Sequence, residues 1–500
     1  VDAIWLSPFF LSPMKDFGYD VSDYCQVDPI FGSIEDFQEL VSYAHELDVK
    51  VIIDQVWSHT SNEHSWFKKS RLNATNSKAD WYVWADAKPD GTPPNNWLSY
   101  FGGPAWTWDA RRGQYYLHHF LKEQPALNYW NDDVRARIKE VGAFWLDLGV
   151  DGFRIDASHT FVYDPKLRNN PVQDLSAGFV PSDVPLSNPM SRQRREHSMC
   201  TPYNFDWIKE IRSFVDQWDD RCLLAEAGGD DSEKVAASYV QEGHYHLAYS
   251  FGVIGSNMGK EPVERAIKSV EDVIKNGWVC WSTSNHDFKR VVSRVSPHCQ
   301  DTTDIARFAM ALGLTLRGSF CIYQGEELGL NQAEIAFEDL ADPYDISLYP
   351  EHVGRDGCRT PIPWQENVPH AGFSTTTGKT WLPVCDEHLS SAVDVQETSS
   401  ESVLNAYRQF LNWRKSHDAA RLGKIRCVDS IDDLIVYERY SEDQSILCIF
   451  NSSGDKLVWG VPSQYLAYDL DGEISYHCKS SDDGKITLEA YGYGFLVLKK

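Results

Sequence analysis

Five hundred residues exceed what one hydrophobic core usually covers, so one large domain with insertions plus a smaller appended domain is expected. A net charge of −26 with a pI near 5.0 disfavours a nucleic acid or an anionic membrane surface as partner, because phosphates would meet repulsion instead of Lys and Arg. A neutral ligand meets no such penalty, and no run of about eighteen apolar residues reads as a membrane-spanning helix. The eleven cysteines, among them Cys25, Cys200, Cys222, Cys280 and Cys321, lack the spacing of a zinc site or a disulfide scaffold. They read as free thiols of a cytoplasmic protein. The chain opens on Val1 inside a strand-like run with neither an initiator Met nor a signal peptide, so a missing N-terminal segment is expected.

Taken in order, short apolar runs ending in polar residues alternate with amphipathic stretches, the signature of βα units and a parallel sheet. Strands are predicted at Ala3 to Leu6, Val51 to Asp54, Gly152 to Asp156, Leu223 to Glu226, His246 to Phe251, Val279 to Ser282 and Phe320 to Tyr323. Helices are predicted at Ser33 to Leu47, opened by a Ser-x-x-Asp cap, at Asp132 to Leu148 and at Asn204 to Trp218. This is one strand short of a (β/α)₈ TIM barrel, and the first βα unit would precede Val1. Between Asp54 and Asn128 a stretch rich in Trp, Pro, Asn and Gly is too long for a loop and predicts a small inserted domain. An irregular stretch after Gly329 leads to a helix near Glu401 to Ser416. From about Arg421 short alternating runs with turn residues predict a C-terminal antiparallel β domain. The expected boundaries are a barrel over residues 1–59 and 129–416, an insert over 60–128 and a β-sandwich over 421–500.

The informative polar residues lie at predicted strand ends: Asp54 and His59, Arg154 and Asp156, Glu226, then His286 and Asp287. A lone Asp at a strand end is usually a helix cap. Four acidic strand ends, two with a basic or His neighbour, make independent capping improbable, and side chains at that rim of a barrel converge on one pocket. Glycoside hydrolysis needs such a set: one carboxylate to attack the anomeric carbon and another to protonate the leaving oxygen, about 5 Å apart when configuration is retained. Asp156 shares a strand face with Arg154, whose guanidinium keeps a nucleophile ionised. Glu226 follows the apolar run Leu223-Leu224-Ala225, where burial favours a protonated acid. Asp287 suits hydrogen bonding to sugar hydroxyls beside the reacting carbon.

The segments Asp54-Gln55-Val56-Trp57-Ser58-His59, Gly152-Phe153-Arg154-Ile155-Asp156-Ala157, Ala225-Glu226-Ala227-Gly228 and Ser284-Asn285-His286-Asp287 resemble, in order and spacing, the four signature regions of the α-amylase superfamily, glycoside hydrolase family thirteen. Gln124-Pro125-Ala126-Leu127-Asn128 resembles a fifth region of its α-glucosidase and oligo-1,6-glucosidase branch, with Ala126 where that branch usually has Asp. The resemblance implies that Asp156 is the nucleophile, Glu226 the general acid/base and Asp287 the transition-state stabiliser. It implies that His59, Arg154 and His286 surround the reacting glucose and that Asp54 supports Arg154. Asp20 and Arg355 resemble the pair that grips the terminal glucose in exo-acting members, with Arg359 a rival for the role of Arg355. Ala157 stands where enzymes cleaving α-1,6 bonds tend to carry Val, which implies an α-1,4 preference. Tyr19, Phe101 and Trp106 are candidates to stack on a sugar ring.

The implied function is a retaining exo-acting α-glucosidase that releases terminal α-1,4-linked glucose from maltose, short malto-oligosaccharides and sucrose, as a monomer or small homo-oligomer. No cofactor is implied for the chemistry. The family's structural Ca²⁺ or Mg²⁺ ion would use a loop upstream of Val1. A transglucosidase on the same site is the alternative. Isomerisation is disfavoured, because Asp287 to Arg294 lacks the clustered Arg/Asp motif of sucrose isomerases. The heavy subunits of amino-acid transporters share this barrel without catalysis, but here Asp156, Glu226 and Asp287 are all present. His59, Glu63 and His64 could suggest a zinc site, but no further ligand stands out nearby and the resemblance assigns His59 to sugar binding. Asn73-Ala74-Thr75 and Asn451-Ser452-Ser453 fit the glycosylation sequon.

Overall fold

In the computed structural model the apolar run near the N-terminus forms the strand Ala3–Leu6, which pairs in parallel with Lys50–Gln55. Residues 1–174, 184–229, 232–275, 277–296, 302–350 and 354–498 are described. They divide into two units, Val1–Tyr249 and Ser250–Lys500.

In the first unit Lys50–Gln55 is followed across the sheet by Gly152–Ile155, Cys222–Ala225 and Leu247–Tyr249, every pairing parallel. Gly152 is needed for one of these contacts, since a Cβ there would meet the Cys222 carbonyl oxygen at 2.4 Å. The helices Ile34–Glu46, Asp132–Asp147 and Asn204–Val215 lie in the intervals. Ser33 closes the expected capping box: its side chain accepts from the Asp36 N–H while the Asp36 carboxylate accepts from the Ser33 N–H. Val134, Ile138, Val141 and Trp145 form the apolar face of the second helix, each at most 1% exposed. Trp145 packs among Phe9, Phe10 and Phe37 with ring centroids 5.1–5.4 Å apart. Burying an aromatic or aliphatic side chain of this kind stabilises the fold by about 1.5–3 kcal/mol.

Within the segment between Lys50–Gln55 and Asp132–Asp147, a three-stranded antiparallel sheet is built from Trp84–Ala85, Gln114–Leu117 and Trp106–Asp109, with Gln114–Leu117 central. Val83, Trp97, Ala105, Trp106, Leu117 and Ala126 belong to its core. The methyl of Ala126 is thus apolar filling, and its backbone is bonded to Leu117 and Val83. Trp106 is 3% exposed and donates its indole N–H to Asn95, so it is a core residue and not a sugar platform.

In the second unit Trp278–Trp281 pairs in parallel with Ser319–Phe320. The latter strand stops short of the predicted Tyr323, because Tyr323 turns away to donate its N–H to Glu326 and its hydroxyl to the Cys358 carbonyl. Seven C-terminal strands are antiparallel and joined through the long Lys485–Leu498, which pairs with four of them. Leu434, Val436, Leu447, Ile449, Trp459 and Ile486 fill one core. On the other side the helix Thr303–Thr315 is fastened to the sheet: Arg439, 0% exposed, donates to the carbonyls of Thr315 and Gly423, and the Tyr437 and Thr315 hydroxyls meet at 2.6 Å. The ten described cysteines are free thiols; Cys299 lies outside the described residues.

Candidate active site

The strand register sets the chemistry of the first unit. Asp54 stands opposite Arg154, and Arg154 stands opposite Leu224, two residues before Glu226. One guanidinium therefore reaches three carboxylates. Arg154 Nη1 donates to both oxygens of Asp54 at 2.9 Å and to Asp156 Oδ1 at 2.6 Å, while Nη2 lies 2.6 Å from Glu226 Oε2. Its face is covered by the Trp5 ring, 5.0 Å away. Arg154, Asp54 and Asp156 are all buried. Burial works against the charge on Arg154, but the carboxylates of Asp54, Glu226 and Asp156 outweigh it and hold the guanidinium well above its ordinary pKa. Burial pushes Asp54 up to about 6 against the opposing pull of Arg154, with the charge of Glu226 adding to the rise.

Two further contacts join the strand ends. The N–H of Ala157, a residue in the left-handed region at φ 41°, ψ 42°, donates to Glu226 Oε2 at 3.0 Å. The N–H and hydroxyl of Ser158 both donate to the Glu226 carbonyl. Tyr19 gives its hydroxyl to Asp54 Oδ2 at 3.0 Å. His59 Nε2 lies 2.8 Å from the Tyr19 carbonyl, which only accepts, so that nitrogen carries the proton and Nδ1 accepts from Ser58. Burial lowers His59 to about 4, and the ring is neutral near pH 7. Asp20 is 0% exposed; its carboxylate accepts from the Ser12 hydroxyl and from the N–H groups of Lys15 and Asp16, and so holds its own loop.

In the second unit Asn285 accepts the N–H groups of Asp287 and Phe288, a turn that presents Asp287 with its side chain 29% exposed. His286 Nε2 lies 3.2 Å from Asp287 Oδ2. Arg355 Nη1 and Arg359 Nη2 both reach Asp287 Oδ1, at 3.2 and 3.1 Å, so the two rival arginines stand on the same carboxylate oxygen.

Of the predicted site residues, Tyr19, Asp54, His59, Arg154, Asp156, Ala157 and Glu226 are linked within the first unit, and His286, Asp287 and Arg355 within the second. Sequence reasoning missed His159 and Tyr100. His159 Nδ1 accepts from the Gly228 N–H, two residues beyond Glu226, and Nε2 meets the Tyr100 hydroxyl at 2.9 Å. Its place three residues after Asp156 was the available signal. Phe101 is half-buried beside Phe120, with centroids 6.0 Å apart. Among the described residues no group of three or more His, Cys, Asp or Glu is arranged to hold a metal ion. His64 instead caps a helix, and Glu63 pairs with Lys68.

The model of the α-amylase catalytic domain matches residues 1–423. The chain belongs to that family, and it is a glycoside hydrolase of TIM-barrel fold class with a C-terminal antiparallel β domain. It is 44% identical to a probable alpha-glucosidase of Rhizobium meliloti (strain 1021), over 99% of this chain and 90% of that one. It is 33% identical to an oligo-1,6-glucosidase of Heyndrickxia coagulans, over 92% and 86%. Among solved structures, the alpha-glucosyl transfer enzyme XgtA matches with a TM-score of 0.96 and 44% identity, covering 100% of this chain and 92% of the other.

Proposed function

We propose that this protein is a retaining, exo-acting α-glucosidase that releases terminal α-1,4-linked glucose from maltose, short malto-oligosaccharides and sucrose. The observation that carries the reading is the bridge of Arg154 between Asp156 and Glu226, which fixes two carboxyl groups on one guanidinium at a pair of adjacent strand ends. Asp156, held ionised by Arg154, attacks the anomeric carbon. The bond to the leaving oxygen breaks as that oxygen takes the proton of Glu226, and the glucose is left as an ester of Asp156. Arg154 and the Ala157 N–H already donate to Oε2 of Glu226, so the transferable proton belongs on Oε1. Glu226 then removes a proton from water, the water oxygen bonds to the anomeric carbon, and the ester opens. Asp287 accepts hydrogen bonds from the sugar as positive charge develops. The test is the first sugar released from an aryl α-glucoside, whose only glucose is the transferred one: proton NMR should show α-glucose ahead of mutarotation. β-Glucose as the first product would overturn the retaining mechanism.

The likeness to an alpha-glucosyl transfer enzyme favours one second reading, a transglucosidase in which a sugar hydroxyl replaces water in the second half-reaction. Product analysis at rising maltose concentration separates the two: hydrolysis yields two glucoses per maltose and no trisaccharide, whereas transfer yields one trisaccharide per glucose, so the trisaccharide-to-glucose ratio would climb toward one.

A further inference from the structure

Arg355 does not face Asp287 alone. Its Nε donates to Asp342 Oδ2 at 2.6 Å and its Nη2 to Asp342 Oδ1, a two-pronged contact that leaves Nη1 directed to Asp287 Oδ1 at 3.2 Å. Asp342 is 0% exposed, and the Tyr344 ring lies 5.6 Å from the guanidinium carbon. The clamp is itself fixed from two sides. Asp342 caps the helix Pro343–Leu348 by accepting from the Tyr344 N–H, and its own N–H donates to Asp356. Asp345 accepts the N–H groups of Gly354, Arg355 and Asp356, lacing the two segments together. Close packing continues below, where a Cβ on Gly357 would meet the Ala333 carbonyl oxygen at 2.3 Å.

Resting on the α-glucosidase reading, we propose that Asp342 is a positioning residue of the reaction: it neutralises Arg355 and orients its Nη1 toward Asp287. The physical reason is charge balance. Arg355 and Arg359 both bear on one oxygen of Asp287. Without Asp342 the unpaired Arg355 cation would hold Asp287 in a tighter ion pair, away from sugar hydroxyls, and would add positive charge where the transition state develops its own. A planar fork suits this double task, because two of its nitrogens bind one carboxylate side-on while the third reaches another.

The test is a double-mutant cycle of Asp342→Asn and Arg355→Gln in the full chain, measuring kcat/KM on maltose and on an aryl α-glucoside, with the melting temperature of each variant. Asp342→Asn is expected to lower kcat/KM at least tenfold, and the double variant should fall within about twofold of Arg355→Gln, because nothing remains to be oriented. Losses that multiply in the double variant, or wild-type kinetics in Asp342→Asn, overturn the proposal. Should Asp342→Asn fail to fold, Arg355→Lys serves: a point charge cannot span both carboxylates, so a tenfold loss is expected and retained kcat/KM overturns it. A wild-type protein that hydrolyses neither substrate would sink the glucosidase reading and the proposal with it. Wild-type turnover with multiplying losses would sink the positioning role alone.

Discussion

The main-chain N–H of Ala157 donates to Glu226 Oε2 from a residue held at φ 41°, ψ 42°. The residue after the proposed nucleophile is therefore also a ligand of the proposed acid/base, and it occupies a backbone region that side chains branched at Cβ strongly disfavour. Ala157→Val should lower stability by roughly 1–3 kcal/mol through this strain. It should also shift the ratio of kcat/KM for isomaltose over maltose upward, by no more than about 1–3 kcal/mol, since only a methyl pair is added. Thermal unfolding and kinetics on both disaccharides check the two halves separately; an unchanged ratio would remove Ala157 from the account of specificity.

Asp156→Asn should abolish turnover while leaving the melting temperature close to that of the wild type, because the amide keeps the volume and still accepts from Arg154. Full unfolding of this variant would mean that the residue is structural.

Glu226→Gln should lower kcat on maltose by about 10²–10⁴-fold, the usual worth of a positioned acid. On an aryl α-glucoside with an acidic phenol as leaving group, the first half-reaction needs no proton and should be spared. A loss of the first step on the aryl glucoside, followed by rapid-mixing measurement of phenol release, as large as the loss of kcat on maltose would reassign the acid.

Stability should fall as the pH drops below 6.5. Burial lowers His59 and His118 to about 4 and His64 and His119 to about 3, so the unfolded chain binds protons that the folded chain refuses. For these groups unfolding takes up protons between the folded values and 6.5, and stability rises with pH across that window. Asp54 has the opposite sign: raised to about 6, it contributes stability that is present below its unfolded value near 3.8 and lost as the pH climbs through 6. His388, also lowered to about 4, joins these histidines, and Asp20, Glu326, Glu327 and Asp356, raised by burial, side with Asp54; five histidines, each lowered from 6.5 to about 3 or 4, are expected to outweigh the raised carboxyls. Denaturant midpoints from pH 4 to 8 test the sign, and a flat profile would contradict the neutral histidines.

The two sequons differ in access. Asn451 is 0% exposed and donates its amide to the carbonyls of Asp455 and Glu489, whereas Asn73 is exposed and uses only its oxygen, toward Thr75. Expression through a glycosylating secretory pathway should modify Asn73 and spare Asn451, as peptide mass spectrometry would show.

What was legible in the sequence was local. Ser33 and Asp36 announce a helix start because the partners are three residues apart, and Gly152 through Asp156 announce a strand and its charged end by alternation alone. The pairing of Asp342 with Arg355 was not legible. Both residues sit in an irregular stretch where no period constrains spacing, and the contact depends on a loop folding back on itself. The same holds for His159, whose partners Gly228 and Tyr100 come from a different strand end and from the segment before Asp132–Asp147. The third carboxylate on Arg154 was likewise hidden, since Glu226 meets it only through the register between neighbouring strands.

Arg439 has a bearing on ancestry. Its buried guanidinium spends donors on the main chain at the end of Thr303–Thr315 and at Gly423, so the helix and the C-terminal strands are wired to each other's backbone and not merely apposed. Recombination between relatives that placed a crossover after residue 423 would import a strand set whose wiring must match carbonyls it never evolved beside. The C-terminal sheet should therefore be inherited together with that helix, and chimeras that part the two should accumulate as aggregates.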